Sequence, residues 1–187
     1  QLGDYCIVVA NCNKPHNLVE SKYNVRRHEV ETALKAINGI KPVSCLAALS
    51  PKEFNEVKYV LSGVVSKRAE HVVMECQRVQ DAVKALKAGD LVELGRLLNE
   101  SHYSLRDLYE VTGKELDTLS ALARKETGCL GSRMIGAGFG GCTISIVKKN
   151  AVEGFIRRVG KAYFDAIGYR ASFYETSIED GITVQKL

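Results

Sequence analysis

The sequence predicts an α+β sandwich, and three observations support this prediction. A continuous apolar run from Asp4 to Ala10 indicates a buried strand near the start of the chain. Helical periodicity dominates the middle of the chain, and two short β-favouring runs follow at 132–135 and 142–147. The resulting order of strand, helices, two strands, helix and strand is that of a ferredoxin-like split βαβ sandwich with a helical insertion, at about residues 50–128.

The composition is that of an ordinary globular domain. The 187 residues are 45% apolar and 26% charged, so we expect a single domain over residues 1–187. The net charge of +4 is too small to indicate a nucleic-acid partner. The apolar runs are far shorter than a bilayer requires, so we predict no membrane partner and a cytoplasmic protein. Because the chain begins with Gln1 and reaches a strand at once, we expect a fragment of a longer, two-domain polypeptide.

Cysteine and histidine spacing argues against a metal centre. The six cysteines are dispersed without a CxxC pair, so we expect reduced and mostly buried thiols. The four histidines lack the spacing of zinc ligands, so we predict no metal site in this chain.

The first half of the chain predicts one strand and four helices. The segment 11–15 ends the strand, and apolar residues recur at helical spacing from about Val19 to Ile37 before Asn38-Gly39. Ser50-Pro51-Lys52-Glu53 is typical of a capped helix start, and we expect that helix to extend through Leu61.

The strongest periodicity lies between residues 65 and 86. The apolar positions alternate four and three residues apart: Val65, Ala69, Val72, Cys76, Val79, Val83 and Leu86. Such spacing is compatible with a coiled-coil dimer. We favour an intramolecular helical hairpin, because the turn Ala88-Gly89-Asp90 leads directly into another apolar-faced helix.

The second half predicts a helix, a strand pair and a closing βαβ element. Thr112-Gly113-Lys114-Glu115 resembles a capping box and predicts a helix that ends near Gly128. The two strands named above are joined by a glycine-rich turn at 136–141. The remaining predicted elements are an amphipathic helix over 152–163, a strand over 171–176 and a short strand over Ile182–Val184.

The turn Gly136-Ala137-Gly138-Phe139-Gly140-Gly141 satisfies the pattern GxGxxG. A dinucleotide fingerprint requires a helix after the glycines, but a strand follows here, and a Walker loop is also absent. A tight strand connection needs only one or two glycines. We therefore favour a turn that lets backbone approach a bound anion.

Three further motifs have both a functional and a structural interpretation. Ser101, His102 and Asp107 are the residue types of a hydrolytic triad, but they crowd one helix end. Asn99-Glu100-Ser101 is a glycosylation sequon inside a predicted helix, which indicates coincidence. Arg26-Arg27 is equally compatible with phosphate binding and with ion pairing.

Three stretches together identify a family resemblance. They are Ser21–Glu29 (SKYNVRRHE), Ser101–Leu119 (SHYSLRDLYEVTGKELDTL) and Arg133–Cys142 (RMIGAGFGGC). These stretches resemble the C-terminal half of the galactokinase family, within the GHMP kinase superfamily, and the flanking elements agree from Asp4 to about Tyr174. The glycine motif marks the superfamily, whereas S-x-YN-x-RR is specific to galactokinases.

The resemblance implies a fold of the GHMP kinase C-terminal domain type and an intact enzyme that transfers the γ-phosphoryl of Mg-ATP to the anomeric hydroxyl of galactose. In that family the N-terminal half carries the magnesium ligands, the phosphate loop and the catalytic base. We find none of these motifs here, so we expect no catalytic and no metal-binding residue in this chain, which would be inactive alone. The expected partner is the N-terminal domain of the same polypeptide.

The same resemblance assigns two elements of the site. Tyr23 corresponds to the tyrosine whose hydroxyl contacts the sugar, and Gly136–Gly141 to the loop beside the phosphate-transfer site. Val30 stands where the family usually has cysteine, and Ile135 where threonine is common, which removes a hydroxyl near the proposed site.

Two alternatives belong to other functional classes. The first is a non-catalytic, galactokinase-like sugar sensor that acts through a protein partner. The second is a stand-alone binding module of the RNA-recognition type, which the lack of paired aromatics on a glycine-led strand disfavours.

Overall fold

A four-stranded antiparallel sheet forms the centre of the computed structural model, which describes residues 2–15, 19–176 and 178. The strands are β1 (Tyr5–Asn11), β2 (Cys129–Ile135), β3 (Cys142–Lys148) and β4 (Ser172–Thr176). Their order in the sheet is β2-β3-β1-β4, with every neighbouring pair antiparallel. This is the order of a split βαβ sandwich, so the predicted α+β class is confirmed. The predicted strand Ile182–Val184 lies outside the described residues.

Six α-helices accompany the sheet in the described part of the chain. They are α1 (Val19–Asn38), α2 (Pro51–Val57), α3 (Gly63–Ala88), α4 (Leu91–Ser104), α5 (Lys114–Lys125) and α6 (Val152–Ile167). Three 3₁₀ turns lie at Leu46–Ala48, Lys58–Val60 and Lys149–Ala151. None of the described helices is both long and apolar enough to cross a bilayer.

The helix that lies on the sheet beside α6 is α5, not α1. α5 contacts β2, β3 and α6, whereas α1 packs mainly on α3. The sequence placed α1 in the βαβ unit and put residues 50–128, which include α5, in the insertion. In the observed packing, α5 shares one face of the sheet with α6, α4 contacts β2, and α1 packs on α3. Nothing in the periodicity of α1 or α5 distinguishes a sheet partner from a helix partner.

The two faces of the sheet differ in how well they are covered. The β1 side chains Cys6, Val8 and Ala10 are buried under α5 and α6, where Phe155 and Tyr163 complete the main core. The β1 side chains on the opposite face are only half-buried. This alternation is the period of two that a strand imposes.

The opposite face is apolar and partly open. Ile7 and Val9 of β1 lie on it, with Ile144 and Tyr174 opposite Val9 on the neighbouring strands. α3 and α4 cover one end, where Ala85 and Leu94 pack on Ile146. Beyond that end, Tyr174 is 58% exposed. We refer to Ile7, Val9, Ile144 and Tyr174 as the open sheet face.

α3 and α4 form the predicted helical hairpin, joined at Gly89 in the left-handed conformation. Only the first half of the apolar series on α3 packs into the protein. Ala69 is fully buried, and Val72 packs with it against α1. Val79, Val83 and Leu86 are exposed. The periodicity therefore predicts the helix correctly but not which of its apolar residues are buried.

One predicted helix cap is confirmed and one is wrong. Ser50 and Glu53 form the reciprocal capping box that the sequence predicts for α2. At α5, by contrast, Gly113 is the N-cap with φ +90, and no side chain caps the helix. Glu115, the residue expected to complete the box, instead binds Lys14 at 2.9 Å. Thr112 is buried, so a long-range contact replaces the local one.

α4 and β2 approach each other at two glycines. A Cβ built on Gly131 would lie 2.1 Å from the carbonyl oxygen of Gly95. A Cβ on Gly95 would lie 2.4 Å from the carbonyl oxygen of Leu130. Only glycine permits this distance between the two backbones.

All six cysteines are free, as predicted, but burial is incomplete: Cys6 and Cys12 are buried and Cys45 is exposed.

Buried His71 predicts a stability change in mild acid. Burial between α3 and α4 lowers the pKa of its imidazole to about 4, mainly by desolvation, and Nδ1 lies 2.8 Å from Ser104 Oγ. The unfolded chain therefore binds the extra proton between about pH 6.5 and pH 4. The contribution of His71 to folding stability is fully present above this window. It is lost, by about 3 kcal/mol, as the pH falls through the window.

Denaturant unfolding at several pH values checks this prediction with His71→Gln. The variant should lose the stability change between pH 6.5 and 4, whereas His28→Gln, at an exposed position on α1, should retain it. Identical profiles for the parent chain and His71→Gln would contradict the prediction.

Candidate functional site

Tyr23 and the glycine-rich loop line one cavity of about 400 Å³. Tyr23 lies on α1 and is 53% exposed, and its hydroxyl has no hydrogen-bond partner among the described residues. Gly136, Ala137 and Phe139 form another wall. Two candidates that are more than 100 positions apart in the sequence therefore share one site.

The floor of the cavity comes from residues that the sequence did not single out for this purpose. They are Leu105, Tyr109 and Val111, with Val30 of α1 beside them. Val30 is the position where the family usually has cysteine, and its side chain lines the cavity. Apolar walls around a few polar groups are typical of small-molecule sites.

The glycine-rich loop is built almost entirely from left-handed backbone. Gly136, Gly138, Gly140 and Gly141 all have positive φ, and so does Phe139 at φ +62. From the sequence alone, a simple strand connection is expected to need only one or two glycines. In this loop, all four glycines are required by the backbone path itself. Glycine content alone therefore does not distinguish an anion site from a turn.

Two backbone hydrogen bonds attach the loop to other elements. The Phe139 N–H donates to the Val111 carbonyl at 2.7 Å, and the Cys12 N–H donates to the Gly141 carbonyl at 2.9 Å. The exposed N–H groups of Gly136 and Ala137 donate to no acceptor within the part of the chain that the structure describes. Unpaired amides in a left-handed turn are suited to an anion.

Cations surround the loop, but most have protein partners. Lys22 Nζ lies 5.2 Å from the centroid of the Phe139 ring, and Lys14 binds Glu115. Arg27 pairs with Glu31 on the surface of α1 at 2.8 Å. The carboxylates of Glu115 and Glu31 therefore neutralise two of these three cations.

Arg26 is engaged by the protein rather than available for a ligand. Its Nε donates to the Tyr109 carbonyl at 2.6 Å, and its Nη1 donates to Glu29 Oε2 at 3.1 Å. With Arg27 also paired, the structure supports the ion-pair interpretation of Arg26-Arg27 over phosphate binding.

The triad interpretation of Ser101, His102 and Asp107 is wrong. His102 is fully buried; its Nε2 lies 3.1 Å from Asp117, and its Nδ1 accepts from the Met134 N–H. Ser101 donates to Glu75 instead, and Asp107 pairs with Arg106. Each of the three side chains has its own structural partner.

Asn99 of the sequon also has a structural role, since its Oδ1 accepts from the Ser132 N–H at 2.9 Å. Among the described residues, no group of three or more His, Cys, Asp or Glu side chains could hold a metal ion.

The largest fully buried side chain near the site is Arg68 of α3, at 1% exposure. It binds Glu29, Glu110 and the carbonyl of Leu108, and its hydrogen bond holds the pKa of the Glu110 carboxyl below its usual range. No sequence pattern indicates that Arg68 is buried, because an arginine in an amphipathic helix normally faces solvent.

The chain matches one family model and is similar in sequence to several known proteins. Residues 82–166 match the family model described as GHMP kinases C terminal. A galactokinase of Clostridium beijerinckii is 52% identical over 181 residues, which is 96% of this chain and 46% of that protein. A galactokinase of Limosilactobacillus reuteri is 48% identical over 97% of this chain and 46% of its own length. The chain spans about half the length of the curated relatives it matches.

Two solved structures are similar as well. Lactococcus lactis galactokinase, complexed with galactose, superposes with a TM-score of 0.94 at 47% identity, over 97% of this chain and 47% of that one. Mevalonate kinase of L. major, in complex with R-mevalonate, has a TM-score of 0.54 at 19% identity over 91% of this chain and 41% of that one, which is similarity of fold alone.

Proposed function

Because the chain belongs with the galactokinases of the GHMP kinase superfamily, as their C-terminal domain, we propose that it forms one wall of a sugar kinase. The complete enzyme transfers the γ-phosphoryl group of Mg-ATP to the anomeric hydroxyl of galactose. The observation that carries this proposal is the shared cavity of Tyr23 and the glycine-rich loop, in a chain about half identical to galactokinases. The relatives favour a kinase over the sugar-sensing alternative.

Each wall of the cavity has a role in this proposal. Tyr23 offers an aromatic ring and a hydroxyl without a hydrogen-bond partner among the described residues, and both groups suit a polyol. The amides of Gly136 and Ala137, which donate to no acceptor among the described residues, would bind the charge of the transferred phosphoryl group. We assign the catalytic base and the magnesium ligands to an N-terminal half, because phosphoryl transfer needs both and the family resemblance implies that they lie there.

The open sheet face supports an N-terminal half as partner. Ile7, Val9 and Ile144 are apolar and half-buried, and Tyr174 is mostly exposed. An apolar sheet face of this kind is normally packed against another layer. We propose that it contacts the N-terminal domain. We also propose a cytoplasmic location, because six free cysteines suit a reducing compartment.

An ATP-dependent phosphorylation assay with galactose tests the proposed function. The chain would be assayed alone and after mixing with a separately produced N-terminal half of a galactokinase. We expect activity only in the mixture. Binding of galactose and ATP by the mixture without turnover would favour the sensor instead, and absence of binding would contradict both.

Tyr23→Phe should weaken galactose binding by the assembled kinase by about 1 kcal/mol, the value of one neutral hydrogen bond, and leave ATP binding unchanged. Calorimetric titration with each ligand measures both affinities. Tyr59→Phe, at a 75% exposed tyrosine outside the cavity, is the matched control and should bind like the parent. An unchanged galactose affinity in Tyr23→Phe would contradict the proposed contact.

The isolated chain should self-associate at high concentration through the open sheet face. Sedimentation measures how far the parent chain and the Tyr174→Lys variant self-associate. The charge in Tyr174→Lys should weaken association, whereas Tyr59→Lys should have no effect, since Tyr59 is exposed elsewhere. A parent chain that stays monomeric at every concentration would refute this prediction.

A further inference from the structure

Two arginines hold the backbone segment 108–110, which contributes Tyr109 to the floor of the cavity. Arg68 donates to the Leu108 carbonyl. Arg26 donates to the carbonyls of Tyr109 and Glu110, at 2.6 and 3.0 Å. Three consecutive carbonyls are therefore held by side chains from two different helices.

The two arginines are tied to each other through carboxylates. Glu29 Oε2 accepts from Arg68 Nε at 2.9 Å and from Arg26 Nη1 at 3.1 Å. Glu110 Oε2 accepts from Arg68 Nη2 at 2.9 Å. Because Arg68 is buried, this geometry leaves the guanidinium little freedom to move.

The segment held by the two arginines has an unusual backbone. Residues Leu105–Tyr109 form a single π-helical turn, and Glu110 ends it in the left-handed conformation at φ +55. Carbonyls at a helix C-terminus lack intrahelical partners. A left-handed glutamate is unfavourable unless its surroundings fix it. The two arginines donate hydrogen bonds to these carbonyls, and their contacts with Glu110 hold it in the left-handed conformation.

Val111, the next residue, contacts the glycine-rich loop directly. The Val111 carbonyl accepts from the Phe139 N–H at 2.7 Å, and a Cβ on Gly138 would lie 2.1 Å from the same oxygen. The loop therefore rests directly on Val111, and its position follows that of the segment before it.

We propose that Arg68 is a positioning residue for the glycine-rich loop. With Arg26 it fixes residues 108–110, so that the Val111 carbonyl holds Phe139 and sets the wall of the cavity. Arg68 itself contacts no substrate in this proposal, and it acts by fixing the backbone of residues 108–110. Its catalytic consequence rests on the proposed function, whereas the positioning itself does not.

Amide hydrogen exchange on this chain tests the positioning directly. In Arg68→Lys, which keeps the charge but loses the planar fork, the Phe139 amide should exchange about tenfold faster. The Val8 amide, in the central strand, reports global unfolding and should be unchanged. Arg78→Gln is the matched control: it removes a part-buried ion pair with Glu75 on the same helix, away from the segment, and should alter neither amide.

Glu110→Gln, at a side chain 43% exposed, gives a second and milder variant in case Arg68→Lys fails to fold. It should accelerate Phe139 exchange in the same direction by a smaller factor. Equal acceleration at Phe139 and Val8 in both variants would mean that the network only stabilises the fold, which would overturn the proposal. Unchanged exchange at Phe139 would overturn it as well.

Kinetics of the assembled kinase test the consequence. Arg68→Lys should lower kcat about tenfold, because a displaced loop misaligns phosphoryl transfer. KM for galactose should stay within about twofold, since Tyr23 is untouched. A kcat equal to the parent's would overturn the catalytic consequence. A parent assembly without galactose phosphorylation would refute the proposed function, and hydrogen exchange would still decide the positioning.

Discussion

Replacing Gly131 with alanine is expected to destabilise the chain by about 3 kcal/mol or more. The new Cβ would lie 2.1 Å from the Gly95 carbonyl oxygen and 2.7 Å from the Gly95 Cα. Both neighbours are backbone atoms in the middle of α4, so neither can rotate away as a side chain would. α4 must separate from β2, and the apolar contacts between them are lost.

Denaturant unfolding measures this effect, and Gly154→Ala provides the control. A Cβ on Gly154 would be 2.8 Å from Arg158 Nη1, the mobile end of a long side chain. Alanine also favours the helical conformation of α6, so Gly154→Ala should change stability by about 1 kcal/mol at most. Equal stability changes in the two variants would show that the α4–β2 contact tolerates a methyl group.

Gly138→Ala should lower galactose phosphorylation by the assembled kinase about 100-fold. The substitution combines a backbone at φ +86 with a Cβ 2.1 Å from the Val111 carbonyl oxygen. The loop must leave Val111, which breaks the hydrogen bond from Phe139 and reshapes the cavity wall. The unfolding free energy of the isolated chain should also fall, by about 2 kcal/mol.

Gly136→Ala separates backbone strain from steric overlap in this loop. Gly136 has nearly the same φ, +83, but a Cβ there would meet nothing within 4 Å. This variant should therefore show only the cost of left-handed backbone, about 1 kcal/mol. If Gly136→Ala reduced activity as much as Gly138→Ala, contact with Val111 would not explain the loss.

Local patterns were sufficient to predict most elements of the fold. The four described strands, the α3–α4 hairpin and the Ser50 cap each depend on residues that are close in sequence, where periods of two and of about 3.6 are directly visible. The exposed Val79, Val83 and Leu86 mark the limit of this approach. Periodicity identifies an apolar stripe but not the partner that covers it.

The elements that were missed depend on contacts distant in sequence. Arg68 is buried because Glu29 and Glu110 converge on it from positions about 40 residues away on either side. The π-helical turn at Leu105–Tyr109 is stabilised by the same network, so no local signal indicates it. Likewise, the cavity joins Tyr23 to the glycine-rich loop only through tertiary packing. The glycine pattern indicated the loop, whereas only the family resemblance indicated Tyr23.

The strand order determines how this chain must fold. β1 is the first strand in sequence, yet it is a central strand of the sheet, and the Cys6 thiol meets the Val147 carbonyl 141 positions later. Closing so long a loop is slow, whereas α3 and α4 meet across a short turn. We therefore expect the helices to form before the sheet, because the strands that pair with β1 are made only near the end of the chain. Refolding should then be limited by closure of the sheet rather than by helix formation.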